Sequence, residues 1–325
     1  MKRQKGMTKI APKGLPMPEN HPPTQAMLSE AEAFLAKWPD LEAIDIVLTD
    51  AHGIGRGKII RRHELTALYK LGRGMPGSIF VQDVSGDDVP DALATQSDGG
   101  GDSRVWPIAG TLALNPATGR GVVLVSMFDG TGFAHPADPR GIMMAQIARA
   151  KSAGFHPMGA LELEFYLVDQ TRDATGKVQP ARYALTQRRS GQTNTMSVDE
   201  LDEMSPFLEA VYAGAKSLRL PLETVISEYA AGQFEFTLQY CDLARAADDI
   251  VLAKRLIRAT ARRFGMDACF MAKPFGQKSG SGMHLHLSLA DDHAAICFAI
   301  KTMAHCPPLC CTRSAAFARR WAIQW

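Results

Sequence analysis

The sequence predicts an α+β chain built in two parts, and three observations lead there. Short strand-like runs separated by turn residues dominate up to residue 137. Helices with readable caps begin at Asp138. Beyond that point the helices alternate with strands whose polar faces carry acids and histidines.

In chain order, Leu28, Phe34, Leu35 and Trp38 fall at roughly helical spacing before Pro39, which predicts a short amphipathic helix over 26–38. Residues 43–50 read as a strand, 51–57 as a turn and 58–60 as a second strand, together a hairpin. The stretch 84–104 is rich in Asp, Gly and Ser, whereas 110–114 and 121–125 read as short strands. At Asp138-Pro139-Arg140 the pattern changes. Asp138 suits an N-cap, Pro139 the first helical position and Gly154 the stop. A second helix starts at the capping box Ser197–Glu200 and buries Phe207, Leu208, Val211 and Leu218. A third runs from Asp242 to Phe264, closed by Gly265. Its early acids, Asp248 and Asp249, and its late basic residues match the helix dipole. The expected division is a disordered extension over 1–25, an N-terminal domain over 26–137, a second domain over 138–291 and a tail over 292–325.

Composition limits the class of partner. Over 325 residues, 36 Lys and Arg against 34 Asp and Glu leave a net charge of +2, which gives no reason to expect nucleic acid or a membrane surface. Small molecules are the expected partners. No run of 18 apolar residues exists, and no apolar signal core follows the basic start, so a cytoplasmic chain is expected. The six cysteines then read as reduced thiols.

Three segments carry the chemistry. In Ala160-Leu161-Glu162-Leu163-Glu164-Phe165-Tyr166, strand alternation sends Glu162 and Glu164 to one face and Leu161, Leu163 and Phe165 to the other. In Ser227–Phe236, a small-residue turn between Glu228 and Glu235 makes a hairpin that brings these acids together, with Phe234 and Phe236 in the core and Gln233 beside Glu235 on the other face. In Gly280–Leu289, His284, His286 and Ser288 share one face behind a glycine loop, opposite Leu285, Leu287 and Leu289. Four carboxylates and an imidazole suit a pair of Mg²⁺ or Mn²⁺ ions, which can clamp ATP phosphates. The Gly72–Gly77 stretch has the letters of a dinucleotide fingerprint but not its strand-to-helix setting, and reads as a turn.

The order and spacing of Glu-Leu-Glu-Phe, Ser-Glu-Tyr-Ala-Ala-Gly-Gln-Phe-Glu-Phe, and Phe-Met-Ala-Lys-Pro followed by Gly-Ser-Gly-Met-His-Leu-His-Leu-Ser-Leu resemble three successive signatures of the glutamine synthetase family. That resemblance implies an N-terminal β-grasp domain and a catalytic α/β domain with an antiparallel sheet, incomplete here. It implies an ATP-dependent ligase that joins glutamate to ammonia or a polyamine through an acyl phosphate. Met-Ala-Lys-Pro leans toward the γ-glutamyl-polyamine branch. Carried over by position, Glu164, Glu228 and Glu235 would hold one metal, and Glu162 and His284 the other. His286 and Ser288 would face the nucleotide phosphates, Gly280 the substrate glutamate, and Asp50 the amine of a neighbouring subunit in a ring-shaped oligomer.

The tail departs from this pattern. Residues 293–325 hold no Asp or Glu but four of the six cysteines and two of the four tryptophans, and the family's later arginine motifs are not found. A frameshift near residue 292 would explain this, and impaired activity is then expected. A non-catalytic metal- and ATP-binding homologue and a two-metal phosphate hydrolase are the competing readings.

Overall fold

A computed structural model of the chain describes residues 25–89, 102–129, 132–189, 191, 195–293 and 295–299. The expected extension, the middle of the Asp/Gly/Ser stretch and the tail beyond 299 lie outside these. The chain divides into two compact units, one ending at Leu112 and resuming over Val122–Gln146, the other comprising Ala113–Gly121 and the chain from Ile147 onward.

The first unit contains α1 (Gln25–Lys37), β1 (Ala43–Thr49), β2 (Gly55–Arg61), α2 (Leu65–Leu71), β3 (Arg73–Pro76) and β4 (Asp102–Pro107). Two short 3-10 turns lie before α2 and after β3. The chain then passes β5 (Ala113–Asn115), which belongs to the second unit, β6 (Arg120–Phe128) and the start of α3 (Pro139–Ser152). Its strands run β2-β1-β6-β4-β3. The expected hairpin is β1–β2, paired from Ala43↔Arg61 to Thr49↔Gly55. Asp138 caps α3, accepting from the Arg140 amide at 2.9 Å and from Ser126 and Met127 at 2.6 and 2.9 Å.

The second unit is organised around β7 (His156–Asp169). It continues through α4 (Val198–Glu203), α5 (Ser205–Leu218), β8 (Leu222–Ser227), β9 (Gln233–Leu238), β10 (Cys241–Asp242), α6 (Leu243–Arg263), β11 (Met266–Cys269), β12 (Met283–Ala290) and β13 (Ile296–Ala299). All its ladders are antiparallel, in the order β13-β12-β7-β9-β8. The registers place β12 and then β11 along one edge of β7, and β10 and then β9 along the other. Alternation explains the core beneath. Phe165 is fully buried, stacked on Phe236 at 5.9 Å and tilted against Phe234 and Phe270. Helices α5 and α6 meet at Gly214, where an added Cβ would lie 2.5 Å from Leu256. Their hydrophobic faces close over Phe207 and Phe264.

Several expectations need correction. The second predicted helix is two, α4 and α5, broken at Met204 because Pro206 brings no amide to the ladder. Gly72 is the C-cap of α2, with a positive φ of +63°, and the next four residues are a strand, so the Gly72–Gly77 stretch is a helix stop plus β3 rather than one turn. Of the strand expected over 110–114 only the end is realised: Ile108–Thr111 is a turn closed by the Thr111 amide on the Ile108 carbonyl at 3.2 Å, with Gly110 at φ +81°, and the strand is Ala113–Asn115. Asp248 and Asp249 lie past the first turn of α6 and are buried. Arg245 holds Asp249 with bonds of 2.6 and 2.7 Å, and the dipole is a lesser influence there. The apolar face of β12 is incompletely covered, with Leu285 half exposed.

Candidate metal centre

The register of β7 assembles the cluster. Glu162 stands opposite His284 on β12, and Glu164 stands opposite Glu235 on β9. Because alternate residues share a face, both β7 acids project to the side away from Leu161, Leu163 and Phe165. His284 Nδ1 lies 3.0 Å from Glu162 Oε2 and 3.9 Å from Glu164 Oε1. His286, two residues along, reaches the other Glu162 oxygen at 2.9 Å. One carboxylate is thus straddled by two imidazoles. Ligand atoms of Glu162, Glu235 and His284 all lie within 4.8 Å of one another.

The electrostatics match this crowding. Burial, then the charges of Glu162, Glu228 and Glu164, push the Glu235 carboxyl up to about 7, against a partial pull back from His284. Glu228, just past β8, is also raised, by burial first and Glu164 second. Its amide donates to the Gln233 carbonyl at 2.8 Å, which closes the β8–β9 turn. The fit to a hard divalent cation rests on this donor set, carboxylate oxygens with one imidazole nitrogen, and on negative charge that the cluster cannot neutralise by itself.

Residues 279–282 border the cluster. Tyr166 donates its hydroxyl to the Ser279 carbonyl at 2.6 Å, and the Glu164 amide donates to the Gly282 carbonyl at 3.2 Å. Gly280 admits no larger residue without strain, because a Cβ there would sit 2.8 Å from the Ala272 carbonyl. Ser288 is buried and shares a 2.5 Å hydrogen bond with Tyr240.

Of the residues singled out from sequence, Glu162, Glu164, Glu228, Glu235, His284 and His286 form one patch, with Gly280 at its border. The tight triad takes Glu235 from one expected metal group and Glu162 and His284 from the other. Asp50 lies in the first unit and is 2% exposed. Its Oδ1 accepts from the His52 and Ile54 amides, each at 2.9 Å, and its Oδ2 from Arg56 at 2.9 Å. It builds the β1–β2 turn. Three contributors have roles that the sequence does not assign, although it places Gln233 beside Glu235 and Gly282 in the glycine loop. Gln233 and Tyr240 act through contacts between distant segments. Gly282 leaves room for the ligands, since a Cβ there would lie 3.0 Å from Glu164 Oε1.

The family model for the glutamine synthetase catalytic domain matches residues 136–305, more than half of the chain. The chain belongs to the glutamine synthetase family. It is 34% identical over 272 residues to gamma-glutamylputrescine synthetase of Escherichia coli strain K12, covering 82% of this chain and 57% of that protein. It is 28% identical to the glutamate–isopropylamine ligase of a Pseudomonas species, covering 78% and 55%. A crystal structure described as a novel glutamine synthase homolog superposes with a TM-score of 0.68 at 21% identity, over 79% of this chain and 57% of the other. That likeness carries the fold alone. The chain spans about half the length of the curated relatives it matches. Among the described residues, no helix is long and apolar enough to cross a membrane.

Proposed function

We propose that the chain carries the metal-binding part of a cytoplasmic, ATP-dependent ligase that converts the γ-carboxylate of glutamate to an amide, with ammonia or a polyamine as acceptor. The observation that carries this reading is the Glu162, Glu235 and His284 triad, with Glu164 and Glu228 crowding the same patch. The likeness to the Escherichia coli gamma-glutamylputrescine synthetase supports a polyamine such as putrescine.

In this reading Glu162, Glu164, Glu228, Glu235 and His284 hold Mg²⁺ or Mn²⁺, which when bound neutralises phosphate charge. His286 faces the phosphates of ATP, Ser288 lies on the same strand face with its hydroxyl held by Tyr240, and Gly280 lets the glutamate approach the backbone. A γ-carboxylate oxygen attacks the terminal phosphorus and ADP leaves. The amine then attacks the acyl carbon, the bond to phosphate breaks, and a base removes the amine proton. Asp50 of a neighbouring subunit serves the amine, in a ring-shaped homo-oligomer whose N-terminal units are β-grasp domains.

The test is calorimetric titration of the purified chain with Mn²⁺ and then ATP, followed by mass spectrometry of mixtures with glutamate and putrescine or ammonia. Mn²⁺ uptake that disappears in His284→Ala and Glu235→Ala is expected, and a wild-type chain that takes up no Mn²⁺ overturns the proposal. Turnover by the 325 residues alone is expected to be impaired. Brisk amide formation would refute that part. Phosphate release indifferent to glutamate and amine would favour a phosphate hydrolase instead.

A further inference from the structure

We infer that Gln233 is a positioning residue that ties the Glu164 carboxylate to the Gly280 carbonyl and the Ser281 hydroxyl, so that a metal ligand and the glycine loop are set in place together. The inference rests on the proposed function for what the site binds, and on geometry for the tie itself.

Gln233 opens β9, two residues before Glu235, and is 1% exposed. Its Nε2 lies 2.9 Å from the Gly280 carbonyl, 3.3 Å from Glu164 Oε2 and 3.4 Å from Ser281 Oγ. Its Oε1 is buried with no hydrogen-bond partner among the described residues. The amide cannot be turned to relieve this. Reversal would press its carbonyl against a carboxylate and another carbonyl, all acceptors. A buried acceptor without a donor is costly, and an apolar side chain of the same length would avoid the cost. The position therefore keeps an amide for its donor end.

That donor end joins two structures that are distant in sequence. Two hydrogens serve three acceptors: the loop carbonyl, the loop hydroxyl and the β7 carboxylate. With Oε2 engaged by Gln233, Glu164 turns Oε1 toward His284, 3.9 Å from Nδ1. On the loop side, the Ser281 amide donates to the Ala272 carbonyl at 2.8 Å, so a displaced loop is reported by its exchange. Partners that orient a metal ligand from behind contribute to affinity without touching the ion.

The experiment compares wild type, Gln233→Met and Gln233→Glu by hydrogen exchange of the metal-free chain, by Mn²⁺ affinity and by thermal melting. Gln233→Met should melt close to wild type while the Ser281 amide exchanges about tenfold faster. Its Mn²⁺ affinity should fall about tenfold to a hundredfold. Gln233→Glu at pH 8 keeps the size but replaces the donor by an acceptor, and should loosen the loop at least as much. Unchanged Ser281 exchange in both variants overturns the inference. So does a loss confined to melting temperature, which would mark a packing role only. A wild-type chain that binds no Mn²⁺ defeats the proposed function, while exchange in the metal-free chain still decides the tie.

Discussion

Glu164 on β7 and Glu235 on β9 are direct partners across the antiparallel ladder, two acids where a sheet gains most from opposite charges or aromatic pairs. Such a pairing opposes folding of the metal-free chain unless one acid keeps its proton.

The first prediction follows from the Glu235 carboxyl, raised from its ordinary 4.5 to about 7 in the folded chain. Below pH 4.5 both states are protonated and there is no penalty. As pH rises from 4.5 to about 7 the unfolded chain releases the proton first, so stability falls. Above that the loss is complete, on the order of 3 kcal/mol. Glu235→Gln removes the ionisation. Melting in the presence of a chelator should show the wild type losing stability between pH 5 and pH 8 relative to the variant. Parallel curves would refute the assignment.

Cation and proton compete for the same oxygen. Mn²⁺ binding should therefore release close to one proton at pH 6 and almost none above pH 8, with affinity rising about tenfold per pH unit below 7. Calorimetry in two buffers of different ionisation enthalpy measures the release. Binding enthalpies that do not depend on the buffer at pH 6 would contradict the prediction.

Gly282→Ala tests the space behind Glu164. The new Cβ would stand 3.0 Å from Glu164 Oε1 and 3.3 Å from the His284 ring, so the ligands must shift. Mn²⁺ affinity should drop about tenfold. Melting should change little, since alanine also restricts the unfolded chain by about 0.4–1 kcal/mol. An affinity equal to wild type would show that the site adapts freely.

At the other end of the chain, Asp50→Ala strands the His52 and Ile54 amides and the Arg56 guanidinium. The expected cost is about 2 kcal/mol, with Asp50→Asn losing less because its carbonyl can still accept from the amides. Denaturant unfolding that separates neither variant from wild type would remove the turn-building role.

Much of the metal patch was legible because strand alternation is a local rule. Once β7 was read as a strand, Glu162 and Glu164 had to share a face, and a turn between Glu228 and Glu235 had to bring those acids together. Asp138 and Ser197 were readable as caps for the same reason, since a cap is decided within a few residues, and Asp242, the expected start of the third helix, caps it as well. Other features depend on what packs from afar. The contacts of Gln233 span strands brought together only by tertiary closure. Leu285 alternates like a core residue, yet its exposure depends on what covers that face of β12. The grouping of Glu235 with Glu162 and His284 follows from register and side-chain direction, which no spacing rule supplies. The helix break at Met204 was foreseeable from Pro206 and was missed because the apolar pattern continues through it.

β7 has a consequence for how the chain folds. Its ladder partners come from segments well separated along the chain, so no pair of strands alone makes the triad, and an unfolded chain offers nothing comparable to a cation. Free divalent cation then acts as a folding ligand. At a hundred times its dissociation constant it would stabilise the native state by about 2.7 kcal/mol, comparable to what the crowded acids cost above neutral pH. The folding midpoint of this unit should therefore track cation concentration.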